Sequence, residues 1–228
     1  MIITIDGPTA SGKSTIARTL AAQLHFYYVA TGMLYRALAY ILTTTYKYTR
    51  EDLSHPQMTD VHECLQPDRL VYTYDPERGA ILVFDGLDIT LHLKTPIMDE
   101  YSSIISAHEQ VREQMVELQR TLANNYDVIV EGRDCGSVVF PHADIKFFVT
   151  ATLEVRAERW RFDQAAKGSN FTFEQAFEIV RERDWRDETR PASPLIIPEG
   201  AVVVDNSYMS KEQTIAYMIT IINHKTNK

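Results

Sequence analysis

The stretch "GPTASGKSTIARTL", residues 7–20, decides the fold, because it is either a grip for phosphate or only a turn between a strand and a helix. It runs Gly7, four residues, Gly12, Lys13, Ser14, directly after the apolar segment "IITI" at 2–5. A strand that ends in a glycine-rich turn and opens a helix aims several backbone N–H groups, and the positive end of the helix dipole, into one concavity. There Gly7 and Gly12 allow close backbone approach, Lys13 reaches the outer phosphates, and the Ser14 hydroxyl can ligate magnesium. Its place after the first strand favours a phosphate loop over an uncommitted turn. Nucleotide kinases, GTPases, helicases and transporter ATPases share this device, so other residues must choose among them.

Composition narrows the choice. A chain of 228 residues can bury a good core, and one domain with an appendage is expected. A content of 45% hydrophobic and 24% charged residues excludes a disordered chain. The net charge of -8 excludes a general nucleic-acid binder, so any anion must be held by local clusters. Cys64 and Cys135 match no zinc or redox spacing and read as packing thiols in a reducing compartment. No apolar run reaches membrane-spanning length and no charged leader precedes the first strand, so a cytoplasmic protein with no membrane partner is expected.

Short β-branched runs at "IITI" (2–5), "DVIVE" (127–131), "IKFFVT" (145–150) and "AVVVD" (201–205), with a weaker one at "FYYVA" (26–30), alternate with helical segments. Five such alternations predict an α/β fold around a parallel sheet. "KSTIARTLAAQL", "VREQMVELQRTLA" and "SKEQTIAYMITII" carry helical apolar spacing, and Thr172 with Gln175 and Ser210 with Gln213 are capping-box pairs. The segment "RLVYTYDPERGAILVFDGLDITLHL", about 69–93, breaks the alternation: "DPERGA" and "DG" are hairpin signals with no room for crossover helices. It reads as a small antiparallel insert within a substrate-side appendage, 36–110, which also contains the polar stretch 49–62.

Arginine is concentrated in a few segments: Arg36 after Tyr35, Arg112, Arg156, Arg159 and Arg161, and the run "RERDWRDETR", which holds Arg183, Asp187 and Arg190. Planar multi-donor groups suit phosphates, although "RERDWRDETR" alone reads equally well as an ion-paired helix face. "VEGRD" differs, because it stands at the C-terminal end of a central strand, where open α/β sheets place ligands. It turns Arg133 and Asp134 toward that crevice, and Glu131 can orient magnesium through water.

Together, "IDGPTASGKST", "TGMLYRALA", "DITLHLKT", "SSIISAHEQVRE", "EGRDCGSVVFPHADIKFFVTA", "RERDWRDETRPASPL" and "AVVVDNS" resemble the bacterial cytidylate kinases, within the nucleoside monophosphate kinases, over nearly the whole chain. The resemblance implies a three-layer P-loop kinase fold with a five-stranded parallel sheet, an enlarged monophosphate-binding region and a short helical lid. It divides the chain into core 1–35, acceptor region 36–110, core 111–155, lid 156–172 and core 173–228. It implies transfer from MgATP to CMP or dCMP by a monomer. Gly7, Pro8, Thr9, Ala10, Ser11, Gly12, Lys13, Ser14 and Thr15, with lid residues Arg156, Arg159 and Arg161, would hold ATP. Thr31, Tyr35, Arg36 and Arg133 would surround the acceptor phosphate; Ser103, Arg112 and Asp134 would face cytosine; Asp187, flanked by Arg183 and Arg190, would hold the sugar. Lys13, Arg133, Asp187 and Arg190 form the implied catalytic set, and Ser14 with Glu131 the metal set.

The implied base contacts agree with elementary chemistry: cytosine presents an N4 donor and N3 and O2 acceptors, which match a carboxylate and a guanidinium, whereas uracil reverses two of those signs. The acceptor phosphate is already ionised near neutral pH, so positioning and charge neutralisation suffice without a strong general base. Where the family has Asp before "TG" and at the start of "GRD", this chain has Ala30 and Glu131. Lys94 replaces an arginine and loses its bidentate geometry, and Glu188 replaces a serine and adds charge near the ribose. A GTPase-like switch lacks any "NKxD"-type segment, and a kinase for UMP or another small acceptor is disfavoured by Asp134 with Arg112.

Overall fold

In a computed structural model, residues 1–124 and 126–226 are described, so the last two residues of the core segment 173–228 lie outside them. In chain order the elements are β1 (Ile2–Asp6), α1 (Lys13–Leu24), β2 (Tyr27–Ala30), α2 (Thr31–Thr44), α3 (Met58–Cys64), β3 (Leu70–Asp75), β4 (Gly79–Phe84) and β5 (Leu87–Asp88). They continue with α4 (Pro96–Ile105), α5 (Glu109–Ala123), β6 (Val128–Gly132), β7 (Ile145–Thr150), α6 (Leu153–Ala165), α7 (Phe173–Thr189), β8 (Val202–Asp205) and α8 (Lys211–Thr226).

Strands buried on both faces need continuous apolar runs, and the five runs in the sequence form one parallel sheet in the order β2-β6-β1-β7-β8, in which only the outer strand β8 leaves a valine, Val203, exposed. One face is covered by α1 and α8 through Ile16, Leu20, Ile215, Met218 and Ile222. The other packs against α2, α3, α5 and the insert through Leu38, Ile41, Val61, Leu82 and Met115. These three layers match the expected architecture. Strand order reverses around β1, which lies between β6 and β7, so the C-terminal ends of β1 and β6 open a ready-made crevice.

The insert forms as its turn residues require. β3 and β4 pair antiparallel from Leu70 opposite Phe84 to Asp75 opposite Gly79. Asp85 and Gly86 both take positive φ, 46° and 81°, which gives the twist that a two-residue hairpin needs. The polar stretch 49–62 carries the start of α3, whose Val61 and Cys64 enter the core. Both capping boxes are present, with Gln175 N donating to Thr172 Oγ1 at 3.2 Å and Gln213 N to Ser210 Oγ at 3.2 Å.

The insert also protects the sheet. β2 is an outer strand, and an outer strand leaves backbone groups unpaired. The buried Tyr72 hydroxyl of β3 accepts from Ala30 N at 2.9 Å and donates to Tyr28 O at 3.0 Å, filling that edge. Tyr72→Phe removes both bonds and strands a buried N–H, so urea unfolding is expected to report a loss of about 1–3 kcal/mol with an unchanged m-value.

Candidate active site

The phosphate loop is pressed against the sheet. Gly7 has φ 153°, and a Cβ there would lie 2.0 Å from the Val149 carbonyl oxygen on β7, so no side chain fits. Three loop carbonyls are engaged by side chains: Lys13 Nζ donates to Pro8 O at 3.0 Å, Arg156 Nη1 to Thr9 O at 3.1 Å, and Asn206 Nδ2 to Ser11 O at 3.0 Å. The first amides of α1, which have no partner within the helix, remain at the mouth of the cavity beside the helix dipole.

That cavity is shared. It is lined by Thr9, Ala10, Gly12, Lys13, Ser14 and Thr15 on one side, and by Thr31, Tyr35, Arg36, Ser103, Arg112, Arg133, Asp134, Arg183, Asp187 and Arg190 on the other. Lys13 and Arg133 therefore face one space. Seven cationic and five acidic side chains line it, a local positive excess in a chain of net charge -8. Arg133 Nε donates to Asp187 Oδ2 at 2.7 Å and its Nη2 to Thr9 Oγ1 at 3.3 Å. Arg112 is paired with Asp134, donates to Ser106 O at 3.0 Å, and lies 5.6 Å from the centre of the Tyr35 ring. Asp99 pairs with Arg36 and stands 3.8 Å from Arg183. Buried Tyr35 OH, Arg112 Nε, Arg183 Nε and Arg190 Nη2 have no hydrogen bond, and such donors fit an anionic or polar ligand.

Below the cavity, Asp6 at the end of β1 accepts from the Cys135 and Gly136 amides at 2.8 and 2.7 Å, fixing the turn that follows Asp134. Burial raises its carboxyl to about 6 in spite of those bonds. Burial also pushes the Lys13 ammonium down, and neighbouring Arg133 adds to this against the pull of Glu131, so Lys13 titrates at about 7 instead of 10.5. Arg183 and Arg190 are likewise lowered, by burial first and then by nearby guanidinium groups. Burial alone would raise Asp187, but Arg133 and Arg183 outweigh it and hold the carboxyl below its ordinary value.

Ser14 Oγ donates to Glu131 Oε1 at 3.0 Å, and Tyr28 OH donates to the same oxygen at 3.3 Å. Among the described residues no group of three or more His, Cys, Asp or Glu side chains could hold a metal. One hydroxyl and one carboxylate fit magnesium, which keeps several waters and takes other ligands from substrate phosphates. The longer side chain of Glu131 thus still reaches the serine.

Gly7, Pro8 and Ser11 belong to the loop without lining the cavity. Neither do the three lid arginines: Arg156 is paired with Asp184, Arg159 donates to Asn206 Oδ1 at 2.8 Å, and Arg161 to Glu158 Oε1 at 2.6 Å. From α6 and the turn after it, Trp160, Asp163, Gln164 and Lys167 face the cavity instead. They follow i, i+3, i+4, i+7 spacing, a signal for one helical face that the arginine count overlooked. Asp99, Ser102 and Ser106 were also overlooked, as polar residues on an otherwise ordinary amphipathic helix and the turn after it. Lys94 and Glu188 are exposed and do not line the cavity.

The Lys13 shift has a consequence for binding. A folded-state value below 10.5 is a penalty fully present below about pH 7 and relieved as pH rises toward 10.5. An anionic phosphate beside Lys13 restores its charge, so binding takes up a proton in that window. ATP titrations at about pH 8, above the range where phosphate itself titrates, in buffers of different ionisation enthalpy are expected to show proton uptake. The uptake should vanish in Lys13→Met, and a wild type with no uptake contradicts the assignment.

Residues 3–224 match the family described as cytidylate kinase. The cytidylate kinase of Flavobacterium johnsoniae is 36% identical over 223 residues, covering 97% of this chain and 95% of that protein. The cytidylate kinase of Caldanaerobacter subterraneus subsp. tengcongensis is 37% identical over 224 residues, covering 98% and 95%. An uncharacterized protein from Eubacterium ventriosum has a solved structure that aligns with TM-score 0.51 at 11% identity over 98% of both chains, a likeness of fold alone. No helix among the described residues is long and apolar enough to cross a membrane. A family match over almost the entire length, on a phosphate loop that shares its cavity with an arginine-rich wall, means that this chain belongs to the cytidylate kinase family.

Proposed function

We propose that this chain transfers the γ-phosphate of ATP to CMP and dCMP, as a cytoplasmic monomer, with Mg2+ bound through the phosphates, Ser14 and water held by Glu131. The observation that carries this reading is the single cavity lined by both Lys13 and Arg133, since transfer in line needs donor and acceptor phosphates in one space. Magnesium held by Ser14 and, through water, by Glu131 would supply positive charge against the phosphates.

Lys13 and the α1 N-terminus hold the donor phosphates, and Arg36, Arg133 and Arg183 hold the acceptor phosphate. Asp187 and Arg190, 4.0 Å apart, hold the sugar side, and Ser103 faces the base. The buried Arg112–Asp134 pair offers donor and acceptor together, the pattern cytosine requires. Residues 156–172 act as a lid over the donor, and Lys167, which lines the cavity, brings the lid's cation to it. Region 36–110 forms the acceptor side, supported by Arg36, Asp99 and Ser103 in the lining.

A coupled ADP-release assay across CMP, dCMP, UMP, AMP and GMP is expected to show turnover of the two cytidine nucleotides. Equal turnover of UMP contradicts the base assignment. Lys13→Ala is expected to lower kcat by at least about 100-fold, as loss of a transition-state charge contact does. Asp134→Ala leaves a polar base edge unpaired, so the KM for CMP should rise about 10- to 100-fold while UMP is affected less.

A further inference from the structure

We infer that Arg156 and Asp184 form a clasp that sets the shape of the phosphate loop, acting as positioning residues and not as nucleotide contacts. Arg156 lies on α6 and Asp184 on α7, and the two are paired with 8% and 6% of their surfaces exposed. Both reach one loop residue, Asp184 through its second oxygen and Arg156 through the same Nη1 that meets Asp184. Asp184 Oδ1 accepts from Thr9 N at 2.9 Å, and Arg156 Nη1 donates to Thr9 O at 3.1 Å. Arg156 Nε is anchored separately on Ala151 O at 2.9 Å. Both backbone groups of Thr9 are therefore held as a neighbouring strand would hold them, by opposite charges that also satisfy each other.

The loop needs such a hold. Ala10, the next residue, has φ 57°, a left-handed conformation that costs a residue with a Cβ free energy and persists only where the surroundings impose it. Thr9 also accepts from Arg133 through its hydroxyl at 3.3 Å, so the residue joins the donor loop to the acceptor turn. With Arg156 and Asp184 committed to Thr9 and to each other, neither lines the cavity. The inference rests on the loop being the donor phosphate site, and it adds that the lid's root determines the loop's affinity.

The test uses the full chain with ATP titrated by calorimetry and thermal unfolding in parallel. Asp184→Ala leaves a buried guanidinium uncompensated and is expected to lower both Tm and ATP affinity. In the double variant Arg156→Met, Asp184→Leu an apolar pair replaces the ions, so Tm should recover toward wild type. ATP affinity should nonetheless stay down roughly tenfold, with the KM for CMP within about twofold. Adding Ala10→Gly relieves the strained angle and should recover part of the affinity. Asp184→Asn, which keeps an acceptor for Thr9 N–H, should bind ATP better than Asp184→Ala. A folded double variant that binds ATP within about twofold of wild type overturns the clasp. If the double variant does not fold, equal losses in Asp184→Asn and Asp184→Ala overturn it. Wild-type protein that binds no ATP would instead refute the donor-site reading itself.

Discussion

Burying several positive charges side by side is the constraint on which this structure turns. Lys13, Arg133 and Arg183 crowd one cavity, and burial together with mutual repulsion drives the Lys13 ammonium down to about 7. Such a cluster holds together because carboxylates are interleaved with it: Asp99 between Arg36 and Arg183, Asp134 on Arg112, Asp187 on Arg133. Each carboxylate offsets part of the repulsion without saturating the donors, and several buried nitrogens are left without hydrogen bonds. Those nitrogens remain open to an anionic ligand.

The scaffold serves that cluster at two levels. The sheet brings the ends of β1 and β6 together, so the phosphate loop and the Arg133 turn emerge from neighbouring strands. Asp6, under both, binds the Cys135 and Gly136 amides and makes the Arg133 turn an extension of the strand that launches the phosphate loop. The insert works at the outer edge of the sheet, where Tyr72 closes the free edge of β2 and Tyr28 on that strand reaches Glu131. Edge protection and support of the Glu131 carboxylate thus both run through β2.

α6, the turn after it and α7 carry two kinds of charge that look alike in a sequence. Arg156 and Asp184 are buried and spent on each other and on Thr9, whereas Lys167 faces the cavity without an ion pair among the described residues. Arg112 is buried in a pair as well, yet it lines the cavity and keeps Nε without a hydrogen bond, whereas Arg156 lies outside the cavity with its Nε on Ala151 O. Proximity in sequence to a lid therefore says little about which cation meets a phosphate.

Local chemistry by itself determined much of this protein. Continuous apolar runs specify strands buried on both faces, the "DG" turn specifies a hairpin, and Gly7 through Ser14 specify a phosphate loop, because each depends on neighbours a few residues apart. The two capping boxes and the α1 limits follow for the same reason. Tertiary structure alone decided which charges meet. Arg112 and Asp134 are 22 residues apart and Thr9 and Asp184 are 175 apart, and nothing in their local spacing brings them together. The fates of Arg156, Arg159 and Arg161 were settled by which partner each helical face encountered, a property of packing between elements that no single stretch of sequence contains.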